Sequence, residues 1–234
     1  MPSTLSYEHR RGQLLEYFDR TASDTWARLT SDAPVSGIRA TVREGRRQMR
    51  ETLLSWLPED MSGARLLDAG CGTCALAAEA AARGADVVAI DLAASLVQVA
   101  RERIDTRGLR GTLQFEVGDF TDPRLGEFDF VVAMDSLIHY DARDIVRVLT
   151  EIGPRTRSKM CITFAPKTPL LTVAHQVGLW FPRSDRAPAI EPVQESRLRS
   201  LSAAQPELKR FTPGRSVRIA KGFYTSQAFE LISA

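Results

Sequence analysis

The sequence has little cysteine and no long apolar run. Three cysteines among 234 residues, Cys71, Cys74 and Cys161, are too few for the disulfide framework of a secreted domain. No stretch approaches the roughly 18 uninterrupted apolar residues of a membrane span, and residues 1–15 carry charges where a signal peptide would be apolar. We therefore expect reduced thiols, no transmembrane segment and a cytoplasmic location.

The chain also lacks a strong excess of charge of either sign. Its formal net charge is +2, which gives no support to nucleic acid binding. Apolar residues at 44% and charged residues at 26% are ordinary for a globular protein, and 234 residues suffice for one sizeable core. We expect one domain with an N-terminal extension.

The extension shows two helical patterns. The first runs from Leu14 to about Leu29, and the second runs from about Ser36 to Leu57 and ends at Pro58. These patterns predict a helical arm or lid over residues 1–58, ahead of the main domain at 59–234. The arm carries aromatic anchors at Tyr17, Phe18 and Trp26 and an arginine stripe at Arg39, Arg43, Arg46 and Arg50.

After Gly63, short apolar runs alternate with helical segments, as in βαβ units. This alternation predicts an α/β, Rossmann-like fold with a mostly parallel seven-stranded sheet and helices on both faces. Residues 181–193 hold three prolines and are expected to be irregular. Strands are expected near 65–69, 86–90, 112–117, 128–134, 159–165, 215–221 and 223–232, and helices near 74–83, 94–105, 141–152, 168–180 and 194–203.

The first strand ends in the run from Asp68 to Thr73, which holds Gly70 and Gly72. Glycines at a strand-to-helix turn let the backbone approach a ligand closely, but the spacing also satisfies the dinucleotide fingerprint. A carboxylate just ahead of the first glycine would repel a pyrophosphate and attract the ammonium and sulfonium of S-adenosylmethionine. Asp68 therefore favours the cationic cofactor.

Two further acids follow the next two strands. Asp91 comes 19 residues after Gly72, where a carboxylate accepts hydrogen bonds from ribose hydroxyls, and Asp119 can accept from the adenine amino group. Either acid taken alone could be a helix cap or a turn residue. The ordered set predicts a class I methyltransferase whose cofactor-binding residues are Asp68, Gly70, Cys71, Gly72, Asp91, Leu92, Asp119, Phe120 and Met134.

Cys71 and Cys74 form a Cys-x-x-Cys pair, which raises a redox or zinc interpretation. The sequence has no second cysteine pair and no nearby histidine to complete a tetrahedral site, so no metal is predicted. Cys74 stands at a position that is usually glycine in this motif. We expect the loop to tolerate a small side chain there.

The fourth strand runs on into the segment from Asp135 to Tyr140, which should border the transferable methyl group. The segment has no Asn-Pro-Pro-Tyr motif, so oxygen or carbon acceptors are favoured. His139 is the candidate catalytic residue, as an orienting group or a base, and the alternative is a loop histidine that bonds to backbone. Asp135 and Tyr140 are interpreted equally well as site or structural residues.

Six blocks spread along the chain form a combination that generic methyltransferases do not share. With them the sequence resembles the magnesium protoporphyrin IX methyltransferase family over nearly its whole length. The blocks are Tyr17-Phe18-Asp19, Val42-Arg43-Glu44-Gly45, Asp68-Ala69-Gly70-Cys71-Gly72-Thr73, Asp135-Ser136-Leu137-Ile138-His139-Tyr140, Phe164-Ala165-Pro166-Lys167-Thr168 and Phe181-Pro182-Arg183-Ser184-Asp185-Arg186.

The resemblance implies methyl transfer from S-adenosylmethionine to one propionate of a magnesium porphyrin, with His139 as a functional residue and a magnesium chelatase subunit as a partner. A flat apolar macrocycle needs a broad apolar cover, and its propionates need arginines, so we expect a substrate-capping segment at about 166–200. The arginine stripe is equally interpreted as a solvated helix face. The predicted substrate-binding residues are Tyr17, Trp26, Arg39, Arg43, Tyr140, Trp180, Arg183 and Arg186.

Three rival functions stay open at this point. Another hydrophobic acceptor, such as a quinone or a phenol, would make His139 a true general base. A nicotinamide dehydrogenase is disfavoured by Asp68, and a non-catalytic porphyrin carrier would keep a vestigial cofactor site. Contact with a membrane surface is an open alternative for the location.

Overall fold

The computed structural model describes residues 4–17, 37–167 and 190–234. Over these ranges the chain forms a seven-stranded sheet in the order β3-β2-β1-β4-β5-β7-β6. The strands are β1 Arg65–Ala69, β2 Asp86–Asp91, β3 Thr112–Val117, β4 Phe128–Ala133, β5 Thr156–Phe164, β6 Phe211–Lys221 and β7 Tyr224–Ser233. The helices are α1 Thr4–Glu16, α2 Gly37–Ser55, α3 Ala75–Ala82, α4 Ala94–Arg103, α5 Ala142–Ile152 and α6 Glu195–Ala203.

The first five strands are parallel, and β7 enters the sheet antiparallel between β5 and β6. The predicted mostly parallel seven-stranded sheet is therefore confirmed. The prediction started β6 at about 215, whereas the strand begins at Phe211 and includes a register shift between Pro213 and Ser216. An edge strand tolerates both proline and a bulge, which is why the sequence pattern placed the start too late. Likewise, β5 begins at Thr156 and not near 159.

Two apolar clusters cover the two faces of the sheet, which confirms helices on both sides. Leu67 packs in the cluster that holds residues of α1, α5 and α6, whereas its neighbour Leu66 packs in the cluster that holds residues of α2 and α3. Val131 and Val132 divide between the clusters in the same way. This alternation is the period of two expected of a strand that is buried on both faces.

The first helix lies earlier in the chain than predicted. The predicted helical pattern began at Leu14, but α1 spans Thr4–Glu16, and the part of the pattern from residue 18 to about residue 29 lies outside the described ranges. Tyr7 and Leu14 are buried and lie two helical turns apart on one face of α1. The ring of Tyr7 stacks on Tyr140, with ring centroids 5.1 Å apart. The predicted helix at 168–180 also lies outside the described residues.

Among the described ranges, no helix combines the length and apolar character needed to cross a bilayer.

A buried carboxylate joins the last three strands. Glu230 in the middle of β7 is fully buried, and its oxygens accept hydrogen bonds from Lys159 on β5 at 2.7 Å and from Arg215 on β6 at 2.7 and 2.8 Å. Burial alone would raise its pKa, but the bonds from Arg215 and Lys159 outweigh that effect and hold the pKa at about 2. The antiparallel hairpin is thereby fixed to the parallel part of the sheet.

We expect Glu230→Gln to lower the free energy of unfolding by about 3 kcal/mol at pH 7, since two cations lose their buried partner. The pKa of Glu230 lies below the ordinary glutamate value of 4.5, so its stabilisation is present above about pH 4.5 and is lost as the pH falls towards 2. Urea unfolding at several pH values should therefore show the difference from wild type shrinking as the solution is acidified. Glu127→Gln, which removes an exposed partner of Arg157, is the matched control and should cost less than about 1 kcal/mol. A difference that is constant from pH 7 to pH 2.5 would contradict the assignment.

Candidate active site

A cleft of about 790 Å³, including its mouth open to solvent, lies at the carboxyl ends of β1, β2 and β4. The chain proceeds from β1 through β2 to β3 on one side and places β4 on the other, which makes this edge the switch point of the sheet, where ligands of such folds bind. The lining of the cleft includes eight residues that the sequence predicted: Gly70, Gly72, Asp91, Leu92, Phe120, Met134, His139 and Tyr140.

The glycine loop forms one wall of the cleft. Gly70 and Gly72 have φ values of 78° and 54°, in the left-handed region that favours glycine. A Cβ atom on Gly70 would lie 2.3 Å from the Cβ of Ser136, whereas a Cβ atom on Gly72 would meet nothing within 4 Å. Gly70 is therefore required for packing, and Gly72 leaves room for a ligand beside the backbone.

Asp91 holds this loop in place from the end of β2. Its Oδ2 accepts a hydrogen bond from the backbone N–H of Gly72 at 2.8 Å, and its Oδ1 accepts one from Ala93 at 2.9 Å. Burial raises the pKa of the carboxyl, and these backbone donors partly offset the rise. The backbone of Leu92 is a third donor to this carboxylate. Because an ionised carboxylate offers about four lone-pair sites, Asp91 can still accept a hydroxyl donor from a ligand.

Asp68 is a buried acid behind the loop. The backbone N–H of Ala77 donates to its carboxylate, but its Oδ2 has no hydrogen-bond partner among the residues that the structure describes. Burial, reinforced by the charge of Asp91, raises the pKa of Asp68 to about 7, and the charge of Arg46 opposes the rise. A buried acceptor without a donor, close to a second acid, fits a ligand that brings a positive charge.

Cys71 and Cys74 are in contact, with their Sγ atoms 3.2 Å apart. Cys74 takes the left-handed conformation at φ 59° just before α3, which glycine adopts without steric cost and which explains why glycine is expected at this position. The contact with Cys74 and burial raise the pKa of the Cys71 thiol, so it is a poor nucleophile. Within the described ranges, no group of three or more His, Cys, Asp or Glu side chains is placed to hold a metal ion.

The third predicted acid, Asp119, is engaged by the first helix. Its carboxylate forms an ion pair with Arg11 of α1 and accepts hydrogen bonds from the backbone and hydroxyl of Thr121 at 2.9 and 2.8 Å. The next residue, Phe120, lines the cleft. An adenine amino group would therefore share Asp119 with Arg11, and the predicted adenine contact stays a prediction.

The loop after β4 packs against the glycine loop and forms another part of the wall. His139 and Tyr140 lie in a turn and are buried, at 7% and 4% exposure, and both border the cleft. Burial raises the pKa of the Tyr140 hydroxyl, which keeps it protonated at neutral pH. Asp135, which the sequence left undecided, both lines the cleft and takes part in a buried hydrogen-bond network with Arg46.

The other predicted site residues lie away from the cleft wall or outside the described ranges. As far as the described residues form it, the lining does not include Asp68, Cys71, Asp119, Tyr17, Arg39 or Arg43. Tyr17 is half-buried, and burial raises the pKa of its hydroxyl; Arg39 is exposed and Arg43 is half-buried. Trp26, Trp180, Arg183 and Arg186 lie outside the described residues.

Only the two ends of the predicted capping segment 166–200 are described, and the C-terminal end contacts the loop that holds His139. The backbone N–H of Glu191 donates to the carbonyl of Ile138 at 3.0 Å, and that of Val193 donates to Ala165 at 2.8 Å. The end of the segment is thereby attached directly beside the turn that holds His139.

The sequence does not assign a role to several residues of the site. It points to Arg46 and Asp135 but leaves each of them with a structural alternative. The contacts made by α1 could have been inferred only from the spacing of Tyr7 and Leu14, since nothing local marks that helix as part of a site. The unassigned lining residues are Leu14, Leu15, Thr73, Ala93, Leu96 and Ser136.

The sheet order and the cleft between the glycine loop and the β4 loop define an S-adenosylmethionine-dependent methyltransferase of class I. Residues 66–158 match the family model of a methyltransferase domain, and residues 133–233 match that of the magnesium-protoporphyrin IX methyltransferase C-terminus. The chain belongs to the magnesium-protoporphyrin O-methyltransferase family, because it is 48% identical to that enzyme of Rhodobacter capsulatus over 98% of this chain and 99% of the relative.

Two other comparisons bear on the fold and the acceptor. The crystal structure of magnesium protoporphyrin IX methyltransferase from Synechocystis PCC 6803 with bound SAH matches with a TM-score of 0.82 and 25% identity, covering 96% of this chain and all of that one. A ubiquinone biosynthesis O-methyltransferase of Xanthomonas oryzae is 35% identical, but over only 51% of this chain and 50% of the relative.

We expect S-adenosylmethionine binding to tighten by about tenfold between pH 6 and pH 8, because a bound ammonium favours the ionised form of Asp68, whose pKa in the free protein is about 7. Calorimetry in buffers of different ionisation enthalpy should show proton release on binding near pH 6.5. Asp68→Asn should bind more weakly and lose this pH dependence. Asp60→Asn, at an exposed turn, is the control and should retain it. The same pH slope in the Asp68→Asn variant would refute the role of this acid.

Proposed function

We propose that this chain transfers the methyl group of S-adenosylmethionine to a propionate carboxylate of magnesium protoporphyrin IX and so forms the monomethyl ester, a step of (bacterio)chlorophyll synthesis. The observation that carries the proposal is the 48% identity to the Rhodobacter enzyme over nearly the whole of both chains. The match to the C-terminal family model adds to it, since residues 133–233 include the His139 turn and the strands beside it.

Several residues in and behind the cleft have the chemistry that the cofactor requires. Asp91 would accept the ribose hydroxyls, Gly72 leaves space for the ligand beside the loop, and Asp68 supplies a buried negative charge for the ammonium. Phe120, Leu92 and Leu96 provide an apolar wall for the adenine. When bound, S-adenosylmethionine supplies an electrophilic methyl group on a cationic sulfur.

The acceptor needs positioning more than deprotonation. A propionate is already ionised at neutral pH, so the chain's own groups act by holding one carboxylate oxygen in line with the methyl carbon and by excluding water. His139 is 93% buried and borders the cleft from the loop after β4, where it would orient the carboxylate by a hydrogen bond. Ligation of the porphyrin magnesium by His139 is the other role that this position allows.

A quinone or phenol acceptor is the second candidate, favoured by the partial likeness to the ubiquinone biosynthesis enzyme. That likeness spans only half of the chain, whereas the likeness to the porphyrin enzyme spans almost all of it. The predicted substrate contacts of Tyr17, Arg39, Arg43 and the capping segment belong to this proposal, as do the chelatase subunit as partner and contact with a membrane surface.

A methyl-transfer assay tests the proposal. With labelled S-adenosylmethionine, the purified protein should convert magnesium protoporphyrin IX to a product heavier by one methyl group, identified as the monomethyl ester by mass spectrometry. Asp91→Ala should weaken cofactor binding by about 1.5–3 kcal/mol, because ribose hydroxyls lose their acceptor. This variant is the control for transfer that depends on cofactor binding. Transfer to a quinol with none to the magnesium porphyrin would establish the second candidate instead. Binding of the porphyrin without any transfer would indicate a carrier.

His139→Ala should lower turnover on the magnesium porphyrin by about 10–1,000-fold, through lost orientation of the acceptor, while S-adenosylmethionine affinity stays within about threefold. Because a carboxylate needs no base, the variant's rate should change little between about pH 7 and 9. His9→Ala, at an exposed position on α1, is the matched control. A rate that rises steeply with pH in the His139→Ala variant would show that the residue serves as a general base.

A further inference from the structure

Asp135 has an unusual backbone and a crowded side chain. It follows Met134 at the end of β4 and has φ 57°, the left-handed region that residues other than glycine seldom adopt. Its side chain is only 4% exposed. Strain of this kind persists only where surrounding contacts hold it, and it is frequent at functional sites.

The contacts that hold Asp135 come from three separate elements. Tyr224 and Ser226 of β7 donate to its carboxylate at 3.0 and 3.2 Å, and Thr163 of β5 both donates to it at 3.3 Å and accepts from its backbone N–H at 2.7 Å. Arg46 of α2 donates to its Oδ2 at 2.7 Å. The carboxylate is therefore fixed, and it fixes the arginine in turn.

A purely structural role for Arg46 does not explain why its side chain borders the cleft. Its side chain is 22% exposed, and the exposed part borders the same cleft as Gly72, Met134 and His139. Its charge also acts on the buried acid Asp68. The arginine thus borders the cleft and also influences the buried acid behind the glycine loop.

We propose that Arg46, positioned by Asp135, is the carboxylate-binding residue of this cleft. A guanidinium carries five N–H donors in a planar fork, so it can serve two carboxylates at once. One of the two is Asp135, and the other comes from a ligand: either the carboxylate at the methionine end of the cofactor or the propionate of the acceptor. The propionate source rests on the proposed function, whereas the cofactor source does not.

The ion pair with Asp135 suits this role. A lone arginine beside a sulfonium would repel it, and its positive charge would also lower the nucleophilicity of the acceptor carboxylate. Paired with Asp135, the guanidinium keeps directed N–H donors while the pair as a whole carries no net charge. The site can then orient an anion without weakening it as a nucleophile.

The test measures the binding of ligands that differ only in a carboxylate. The proteins compared are wild type, Arg46→Met, Arg46→Lys, Asp135→Asn and the control Arg47→Met. Arg47 is a suitable control because it pairs with Glu44 and Glu51 on an exposed part of the helix. One arm measures dissociation constants of S-adenosylmethionine and its decarboxylated form. The other measures magnesium protoporphyrin IX and its dimethyl ester, with S-adenosylhomocysteine present to prevent turnover. Affinity for the decarboxylated cofactor reports that each variant is folded.

Wild type and Arg47→Met should prefer the carboxylate-bearing ligand by about tenfold or more in at least one arm. In that arm Arg46→Met should reduce the preference at least about fivefold, Arg46→Lys should retain part of it, and Asp135→Asn should reduce it at least about threefold although the arginine is still present. The arm that changes identifies the carboxylate.

An unchanged preference for Arg46→Met in both arms would overturn the inference while leaving the proposed function intact. An unchanged preference for Asp135→Asn would overturn the positioning role of Asp135. If wild type neither binds nor methylates the diacid porphyrin, the proposed function fails and the propionate role of Arg46 fails with it. The cofactor arm is independent of that result and still shows whether Arg46 binds a carboxylate.

Discussion

One buried carboxylate, that of Asp135, links the parts of this protein that must meet for a site to form. It accepts hydrogen bonds from the N-terminal helix α2, from β5 and from β7, and it stands at the end of β4 on the wall of the cleft. A charge removed from water is tolerated only when its hydrogen bonds are satisfied. The requirement to satisfy it therefore couples the arm, the parallel strands and the C-terminal hairpin around the place where a substrate would lie.

Glu230 repeats this arrangement at the other end of the hairpin. Its two cations come from β5 and β6, so the antiparallel strands are attached to the parallel sheet by charge as well as by the ladder. Both acids draw partners from elements that are distant in sequence. They differ in what they serve, since Glu230 pairs with Lys159 and Arg215 among the last three strands, whereas Asp135 presents its arginine to the cleft.

The electrostatics of the cofactor side follow from burial rather than from pairing. Burial raises the pKa of both Asp68 and Asp91, and in the case of Asp68 the rise is reinforced by its neighbour. Two poorly solvated acids near one glycine loop make the free site costly to ionise, and a ligand with an ammonium and a sulfonium would relieve that cost. The apolar wall formed by Phe120, Leu92 and Leu96 would suit the neutral part of the same ligand.

The sequence by itself determined the sheet, its glycine loop and the residues that follow its parallel strands. Apolar runs alternating with helical segments fix a parallel sheet, and parallel strands bring their carboxyl ends to one edge, so Gly72, Asp91 and His139 could be placed together without coordinates. Only the tertiary structure decided which residues the two described helices of the arm contact. Tyr7 stacking on Tyr140, Arg11 pairing with Asp119 and Arg46 pairing with Asp135 join residues about 90 to 130 positions apart. Such pairs have no local period or spacing in the sequence, because the geometry that selects them exists only once the helices have packed on the sheet.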